Sequence, residues 1–301
     1  MIDGIMNIYK EPGYTSFDVV AKMRGILKQK KIGHTGTLDP DAEGVLVLCL
    51  GNATKLCEML TDKDKEYIAT LQLGITTDTE DTSGTVLSQS PVNVSESEVR
   101  ETILSFVGKQ KQIPPMYSAI KKDGKKLYEL AREGIVIERE PRDIEVFHID
   151  IISMDLPFVK FSVCCSKGTY IRSLCRDTGE KLGCGGAMSH LLRNRVSQFS
   201  AEDALKLSDV EMMRDEGRIS ECVYPIPSLF PSYPMIQIRS QAEKYLMNGN
   251  PLTLNSFVEM DTAKVFEGMR IFVCNQEQEI KGLYIYQDKK QMFVPDKMFL
   301  S

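Results

Sequence analysis

One segment of the chain, residues 33–46, reads Gly-His-Thr-Gly-Thr-Leu-Asp-Pro-Asp-Ala-Glu-Gly-Val-Leu. It carries three glycines, one proline, one histidine and three carboxylates, and it leads straight into the apolar residues 45–50. Glycine allows backbone conformations closed to other residues, while Pro40 fixes its own φ and restricts Asp39 before it. We therefore predict a rigid turn that holds a carboxylate at the mouth of a strand. An ordinary acidic surface turn is the alternative.

Size and composition are those of a globular protein of the cytoplasm. The 301 residues can form one large domain, or a large domain and a small one. No apolar run approaches the roughly 20 residues that span a bilayer, and the first residues do not resemble a signal peptide. Eight cysteines without such a signal favour a reducing compartment, and the histidine spacing predicts no zinc site. We expect a cytoplasmic protein without a membrane partner.

The charged residues are unevenly distributed along the chain, so the net charge alone is misleading. The net charge of −5 and the pI near 5.5 are unusual for a protein that binds nucleic acid. Basic residues nevertheless form runs within residues 22–31, 109–132 and 160–195, and acidic residues concentrate within 58–101 and 202–221. Charge runs are usually solvated faces, but this separation favours one face that binds a polyanion. We interpret the acidic cluster at residues 78–81 as a solvated loop.

Hydrophobic periodicity predicts an α+β fold with a mixed sheet, because strands and helices interleave without a regular βαβ alternation. A capping box of Ser95 and Glu98 marks the start of one helix, and Thr15 or Ser16 can cap another. Strands are predicted at residues 5–9, 45–50, 67–73 and 159–165, and helices at 16–28, 52–60, 125–132 and 170–182.

A proline-rich connector predicts the boundary between two domains. Its prolines stand at positions 225, 227, 231 and 234, and such clusters interrupt regular structure. Beyond it, residues 270–274, 281–286 and 291–295 have strand-like composition. We therefore expect a large domain over residues 1–230 and a small β-rich domain over residues 235–301.

Five segments follow one another in the order found in the TruB family of pseudouridine synthases, which the chain resembles. They are Lys-Glu-Pro-Gly-Tyr-Thr-Ser at 10–16, Gly-His-Thr-Gly-Thr-Leu-Asp-Pro at 33–40, Lys-Glu-Tyr at 65–67, Ile-Pro-Pro-Met-Tyr-Ser-Ala-Ile-Lys at 113–121 and Gly-Thr-Tyr-Ile-Arg at 168–172. Each is weakly specific alone, whereas five in order are very specific. Two departures occur: the proline of the first segment is shifted by one residue, and Leu192 stands where an arginine is common.

The resemblance implies that Asp39 is a catalytic nucleophile and that Arg172 is its partner. Pseudouridine is an isomer of uridine, so its formation requires no electron carrier, ATP or metal. It requires a carboxylate that attacks, or that stabilises positive charge at the sugar or the base. A nearby arginine favours the ionised form of that carboxylate. Asp41 and Glu43 are the competing carboxylates, but only Asp39 precedes the proline. Arg172 is otherwise a routine surface arginine.

The resemblance also implies a set of residues that bind the substrate. Tyr67 and Tyr170 would stack on a uridine flipped out of its loop, and Tyr67 is also a candidate to relay the C5 proton. Core packing is the alternative for an isolated tyrosine. His34 would contact the RNA backbone, and Leu191 would line the pocket or pack in the core. Phosphate contacts are predicted at Lys10 and, in a thumb insertion at about 109–142, at Lys121, Lys125 and Lys126.

The implied function is isomerisation of uridine 55 in the TΨC loop of tRNA, by a bacterial-type enzyme without cofactor or metal. The implied fold is a mixed-sheet pseudouridine synthase core with a PUA-like C-terminal domain that binds RNA. We expect a monomer that needs no protein partner. Two other classes remain open: an RNA-binding protein without catalysis, and a hydrolase that releases free uracil.

Overall fold

A computed structural model of the protein describes residues 1–300, which form two β-sheets and seven α-helices. The strands are β1 (Gly4–Lys10), β2 (Ile32–His34), β3 (Glu43–Leu50), β4 (Lys65–Leu73), β5 (Ile75–Thr77), β6 (Val86–Gln89), β7 (Gly108–Gln112), β8 (Lys121–Lys122), β9 (Lys125–Lys126), β10 (Arg142–Asp155), β11 (Phe158–Cys165), β12 (Gly186–Val196), β13 (Phe199–Ser200), β14 (Met235–Gln237), β15 (Leu252–Thr253), β16 (Arg270–Cys274), β17 (Ile280–Gln287) and β18 (Met292–Met298). The helices are α1 (Ser16–Leu27), α2 (Cys57–Thr61), α3 (Glu96–Leu104), α4 (Leu127–Arg132), α5 (Ile171–Lys181), α6 (Leu207–Asp215) and α7 (Glu243–Met247). Two short hairpins, β5–β6 and β8–β9, lie apart from the two sheets.

The large sheet is mixed, which confirms the predicted α+β class. Its strand order is β1-β3-β12-β4-β11-β10-β7, with β2 also paired to β3 and β13 to β12. All its pairs are antiparallel except β3 with β12, which run parallel where Glu43 lies opposite Leu192. The end of the signature segment, residues 33–46, is therefore held inside the sheet, between β1 and β12.

Two groups of helices cover parts of this sheet. α3 and α5 pack on β4, β10 and β11, where Val99, Ile103 and Leu174 are fully buried. α1 and α6 pack beside β1 and β3 through Met23 and Val210. Burying one such side chain contributes about 1.5–3 kcal/mol, so these stripes account for much of the stability of the core.

The start of α1 is fixed next to the signature segment. Thr15 is the N-cap: its hydroxyl accepts the backbone N–H of Asp18 at 3.1 Å, and its own N–H donates to the Asp18 carboxylate at 2.8 Å. The cap was expected at Thr15 or Ser16, and the structure places it at Thr15 as a capping box; a cap of this kind contributes about 0.5–2 kcal/mol. Ser16 follows and contacts the signature segment, as described below.

The C-terminal part is a five-stranded sheet in the order β14-β16-β17-β18-β15, which confirms its predicted β-rich character. It is not joined by a loose linker. Phe230 and Tyr233 of the connector stack with ring centroids 5.2 Å apart, and Tyr233 lies 6.1 Å from Phe272 of β16. Phe272 and Leu283 belong to the same apolar cluster as residues of β1 and β3. The two sheets thus share part of their core.

Several elements differ from the sequence-based predictions. β10 and β12, two of the longest strands, were not among the predicted elements. Lys125 and Lys126 form a strand rather than the first turn of α4, because they pair with β8. None of the helices within residues 1–300 combines the length and the apolar character needed to cross a membrane.

Candidate active site

Asp39 and Arg172, which are 133 positions apart in the sequence, meet in a two-point ion pair. Arg172 Nε lies 3.1 Å from Asp39 Oδ2, and Arg172 Nη2 donates to Asp39 Oδ1 at 3.3 Å. The Arg172 side chain is 6 % exposed, whereas that of Asp39 is 41 % exposed. A planar guanidinium that contacts both carboxylate oxygens fixes the orientation of the carboxylate as well as its charge. The carboxylate therefore remains open to a ligand.

The acidic loop at residues 78–81 supports Arg172, so the prediction of a solvated loop was wrong. Asp81 Oδ2 lies 3.6 Å from Arg172 Nη1, and the carbonyl oxygen of Thr79 accepts from the same nitrogen at 3.1 Å. Glu80 is buried and pairs with Arg176, one turn further along α5. The loop is folded onto α5 because buried guanidinium groups require carboxylates and carbonyls as partners.

The first of the five segments holds the turn on which Asp39 lies. Lys10 Nζ donates to the carbonyl oxygens of Ala42 at 2.6 Å and Pro40 at 2.9 Å. The Leu38 N–H donates to the Ser16 hydroxyl at 2.8 Å. Lys10 is fully buried, and burial lowers its pKa to about 8. Lys10 is therefore placed to support the turn, and it lies away from any surface where a phosphate contact, as predicted, would form.

Arg193 also supports the turn that carries Asp39, a structural role that its basic side chain did not indicate in the sequence. It is 2 % exposed, so it contributes nothing to the charged surface predicted for its run. Its Nε donates to the Val45 carbonyl at 2.7 Å, and Nη2 donates to the Gly36 carbonyl at 3.1 Å. Gly44 makes this approach possible: a Cβ there would lie 2.3 Å from the carbonyl oxygen of Arg193. A side chain at position 44 would push the turn off the sheet.

Tyr67 lies near the charges of Asp39 and Arg193, in one apolar cluster with Leu38 and Leu191. Burial raises the pKa of Tyr67 to about 12, an effect that the neighbouring Arg193 opposes. The phenol is therefore protonated near neutral pH and can donate a hydrogen bond. Leu191 is 7 % exposed and pairs with Ala69 on β4, which fits both a pocket wall and a core residue.

Tyr170 stands at the start of α5, two residues before Arg172. Its backbone N–H donates to the Gln112 side chain at 2.8 Å, and its carbonyl accepts from the same amide at 3.0 Å. Burial raises the pKa of its phenol, and the charge of Asp39 contributes in the same direction. Tyr170 thus lies on the side of the ion pair that faces β7, with a half-buried ring.

His34 ends β2, opposite Leu48 of β3. Its Nδ1 is buried and has no hydrogen-bond partner within residues 1–300. Burial, and secondarily the positive charge of Arg193, lower its pKa, so the imidazole is neutral near pH 7. The residue as a whole is only half-buried, so its exposed part can contact a ligand beside the turn, while the enclosed Nδ1 cannot.

The two competing carboxylates point elsewhere. Asp41 is exposed, while Glu43 accepts from the Tyr9 hydroxyl at 2.8 Å and contacts His190 Nε2 at 2.9 Å. Of the three acids in the signature segment, only Asp39 contacts Arg172 among the described ion pairs. This geometry favours Asp39 over its neighbours.

If activity depends on ionised Asp39, the rate should fall at acid pH, with a midpoint above the ordinary pKa of an aspartate. Burial raises the pKa of Asp39, and Arg172 lowers it without cancelling the effect of burial. The carboxylate is therefore lost as pH falls through a value higher than the roughly 3.9 of an exposed aspartate. A pH–rate profile under single-turnover conditions checks this; a rate that stays level down to pH 4 in a folded protein would contradict it.

The thumb insertion begins with β7 and carries a hairpin rich in lysine. β8 and β9 pair Lys121 with Lys126 and Lys122 with Lys125, joined by Asp123 and Gly124. Both turn residues have positive φ, 52° and 85°, as a two-residue hairpin requires. Lys121 and Lys125 are exposed, and Lys126 is half-buried against Tyr128. The carbonyl of Tyr117, just before the hairpin, accepts from Arg172 at 2.8 Å, so the thumb is attached to the site.

Comparisons with known proteins match this chain along its length. Residues 24–171 match the family model described as TruB family pseudouridylate synthase (N terminal domain), and residues 172–230 match the tRNA pseudouridylate synthase B C-terminal domain. The tRNA pseudouridine synthase B of Lachnoclostridium phytofermentans is 50% identical over 307 residues, covering 99% of this chain and 100% of that protein. That of Bacillus velezensis is 39% identical over 309 residues, covering 100% and 99%.

A solved structure has the same fold. The crystal structure of a Cbf5-Nop10-Gar1 complex contains a chain that superposes with a TM-score of 0.72 at 26% identity, covering 99% of this chain and 85% of that one. The family models together span more than half of the sequence, and the relatives span nearly all of it. The chain belongs to the TruB family of pseudouridylate synthases.

Proposed function

We propose that the protein converts uridine 55 in the TΨC loop of tRNA into pseudouridine, with Asp39 as nucleophile and without metal or organic cofactor. Membership of a family of tRNA pseudouridylate synthases supports the reaction class. The observation that carries the finer assignment is the half-exposed Asp39 carboxylate held at two points by a buried arginine. We further propose that the protein acts in the cytoplasm, as a monomer without an obligate protein partner.

In the proposed reaction the C1′–N1 bond breaks, the base rotates, and a C1′–C5 bond forms. C5 then loses its proton and N1 gains one, so atoms balance without an external reagent. The Asp39 carboxylate bonds to the uridine as nucleophile, and that bond breaks again before the product leaves, which returns the free carboxylate. Arg172 keeps the carboxylate oriented during the rotation. Tyr67 and Tyr170 provide aromatic faces for the flipped base. The protonated phenol of Tyr67 is a candidate to relay the C5 proton.

RNA recognition would combine shape with charge. His34 presents a half-buried ring beside the turn, and the β8–β9 hairpin presents exposed lysines close to the segment that binds Arg172. A target in a folded loop is read mainly through its backbone and its splayed bases. The five-stranded C-terminal sheet would extend this surface as a PUA-like module.

Charge reversal in the thumb should weaken RNA binding without changing the chemical step. We expect Lys121→Glu combined with Lys125→Glu to raise Kd for tRNA and to flatten its dependence on salt, because each lost phosphate contact removes released counterions. Kd measured at several salt concentrations checks this. A matched control is Arg214→Glu with Arg218→Glu, which makes the same change of charge outside the thumb. Both arginines pair with carboxylates, as Lys125 does with Glu133. Equal salt slopes in both double variants would contradict a thumb contact.

Two other readings lead to different products. A binding protein without catalysis has no need for a carboxylate that faces a polyanion, and a buried arginine that orients it would be superfluous. A hydrolase built on an aspartate would require a positioned water and would release free uracil. We expect no free base in the product mixture.

The test is the pseudouridine content at position 55 of an unmodified, refolded tRNA transcript incubated with pure protein in buffer with EDTA. Conversion, with no free uracil, is the expected result. A transcript in which uridine 55 is replaced by cytidine is the control for position. Tight binding without conversion would favour the binding protein, and uracil release would favour the hydrolase.

A further inference from the structure

The exposed face of α1 carries an aromatic residue that the proposed chemistry does not use. Phe17 is 65 % exposed, although it is the second residue of the helix and follows Ser16, which is buried. Residues Phe17, Ala21 and Arg24 recur at helical spacing, so they share one face, and Lys28 follows at the C-cap. Single exposed apolar residues are common on protein surfaces. The case for Phe17 therefore depends on what surrounds it.

The surroundings of Phe17 are positively charged. The guanidinium of Arg24 lies 5.9 Å from the centroid of its ring. Lys22, Arg24, Lys28 and Lys30 form no ion pair with a carboxylate anywhere in residues 1–300. The nearest acid on the helix, Asp18, is engaged in the capping box. The stretch therefore carries positive charge that is available to a polyanion.

The helix that carries this face borders the candidate active site. Ser16, directly before Phe17, accepts the N–H of Leu38, the residue before Asp39. At the other end of the helix, Arg24 Nη2 donates to the carbonyl of Ile32 at 3.2 Å, two residues before His34. The helix therefore lies beside both ends of the stretch that joins β2 to the turn, and a strand of RNA that delivers a nucleotide to Asp39 would pass close to α1.

We propose that this face, the α1 platform of Phe17, Ala21, Arg24, Lys28 and Lys30, binds the single-stranded nucleotides next to the target uridine. An unpaired base stacks on Phe17, and phosphates further along the strand lie against Lys28 and Lys30. Stacking on an aromatic side chain requires a base that is free of its own stack, which a loop opened by base flipping provides. The platform rests on the proposed function, because it assigns a binding surface to the same RNA.

The test compares binding and turnover of a T stem-loop RNA by wild type and Phe17→Ala. We expect Kd and KM to rise by between about fivefold and about a hundredfold, the range that stacking of one base provides, with kcat at saturating RNA unchanged. Phe17→Trp should restore binding, because its ring stacks equally well. Phe158→Ala is the matched control, because Phe158 is an exposed phenylalanine that lies outside α1. It is 44 % exposed and is the first residue of β11, at the opposite end of that strand from Cys165.

The outcomes separate the platform from the proposed function. Kd of Phe17→Ala within twofold of wild type, or an equal loss in Phe158→Ala, would overturn the platform while conversion by wild type left the function standing. If Phe17→Ala bound RNA more weakly than wild type while the wild-type protein converted no uridine, the platform would be supported and the proposed function overturned. Thermal unfolding of each variant shows that the surface changes leave the fold intact.

Discussion

Asp39→Ala is expected to abolish pseudouridine formation, with a fall in kcat of at least about 10⁴-fold, which is typical when a catalytic nucleophile is removed. Affinity for tRNA should stay within roughly tenfold, about 1.4 kcal/mol, because most of the binding free energy comes from phosphate and loop contacts elsewhere. The reason is geometric: Asp39 is the acid of the turn whose two oxygens face Arg172. Single-turnover conversion and filter binding measure the two quantities.

Two further variants make this result specific. Asp39→Asn preserves the size of the side chain and removes its charge, so it should be as inactive as alanine if ionisation matters. Asp41→Asn changes the exposed neighbour, two residues on, and should retain wild-type activity. Turnover by Asp39→Ala at a rate close to that of wild type would remove Asp39 from the chemistry. Comparable losses in Asp39 and Asp41 variants would indicate damage to the turn instead.

Local sequence signals predicted the elements whose cause is local. The capping box of Ser95 and Glu98 at the start of α3, the alternation in β4 and the strand-like composition of the C-terminal part all depend on neighbours within a few residues. The mixed sheet was likewise expected from interleaved strands and helices. These features needed no knowledge of the tertiary structure, because capping, pleat and turn chemistry act over one to four residues.

Interactions across the chain were beyond the reach of such signals. Lys10 and Arg193 look like surface cations in the sequence, yet both are buried and donate to carbonyls of the signature segment. Asp81 looks like part of a solvated loop, yet it lies against Arg172. In each case the partner is more than thirty residues away or belongs to the backbone, which carries no side-chain identity. The sequence shows that a residue is basic, but not whether its side chain is buried.

The pairing of Asp39 with Arg172 was expected from the family resemblance, but its electrostatic result was not. The arginine was expected to favour the ionised acid, and it does act in that direction. Burial of Asp39 against α5 and the turn, together with the nearby charge of Asp81, outweighs it and raises the pKa of Asp39. Desolvation depends on the packed structure, so no reading of residue types can supply its magnitude.

Arg172→Lys is expected to reduce kcat by roughly 10²- to 10³-fold although it preserves the positive charge. Lysine offers a point charge without the planar fork, so the Asp39 carboxylate loses its two-point orientation, and small misplacements of a reacting group are costly. Arg172→Met should be more severe and should move the acid limb of the pH–rate profile to higher pH. The sign follows because Arg172 lowers the pKa of Asp39; without it that pKa rises and less carboxylate is present at a given pH.

Arg176→Lys provides the matched control for this orientation effect, since it makes the same change one helical turn further along α5. Arg176 pairs with Glu80 and Asp177 and does not contact Asp39, so the variant should lose some stability and retain most of its kcat. Thermal unfolding of both lysine variants separates stability from activity, because breaking a buried pair costs about 3–5 kcal/mol when a partner is left unpaired. If the two variants lost activity in proportion to their loss of stability, Arg172 would serve only to hold the acidic loop on the helix. A loss of kcat confined to Arg172→Lys would instead place the orientation of Asp39 among the requirements of the reaction.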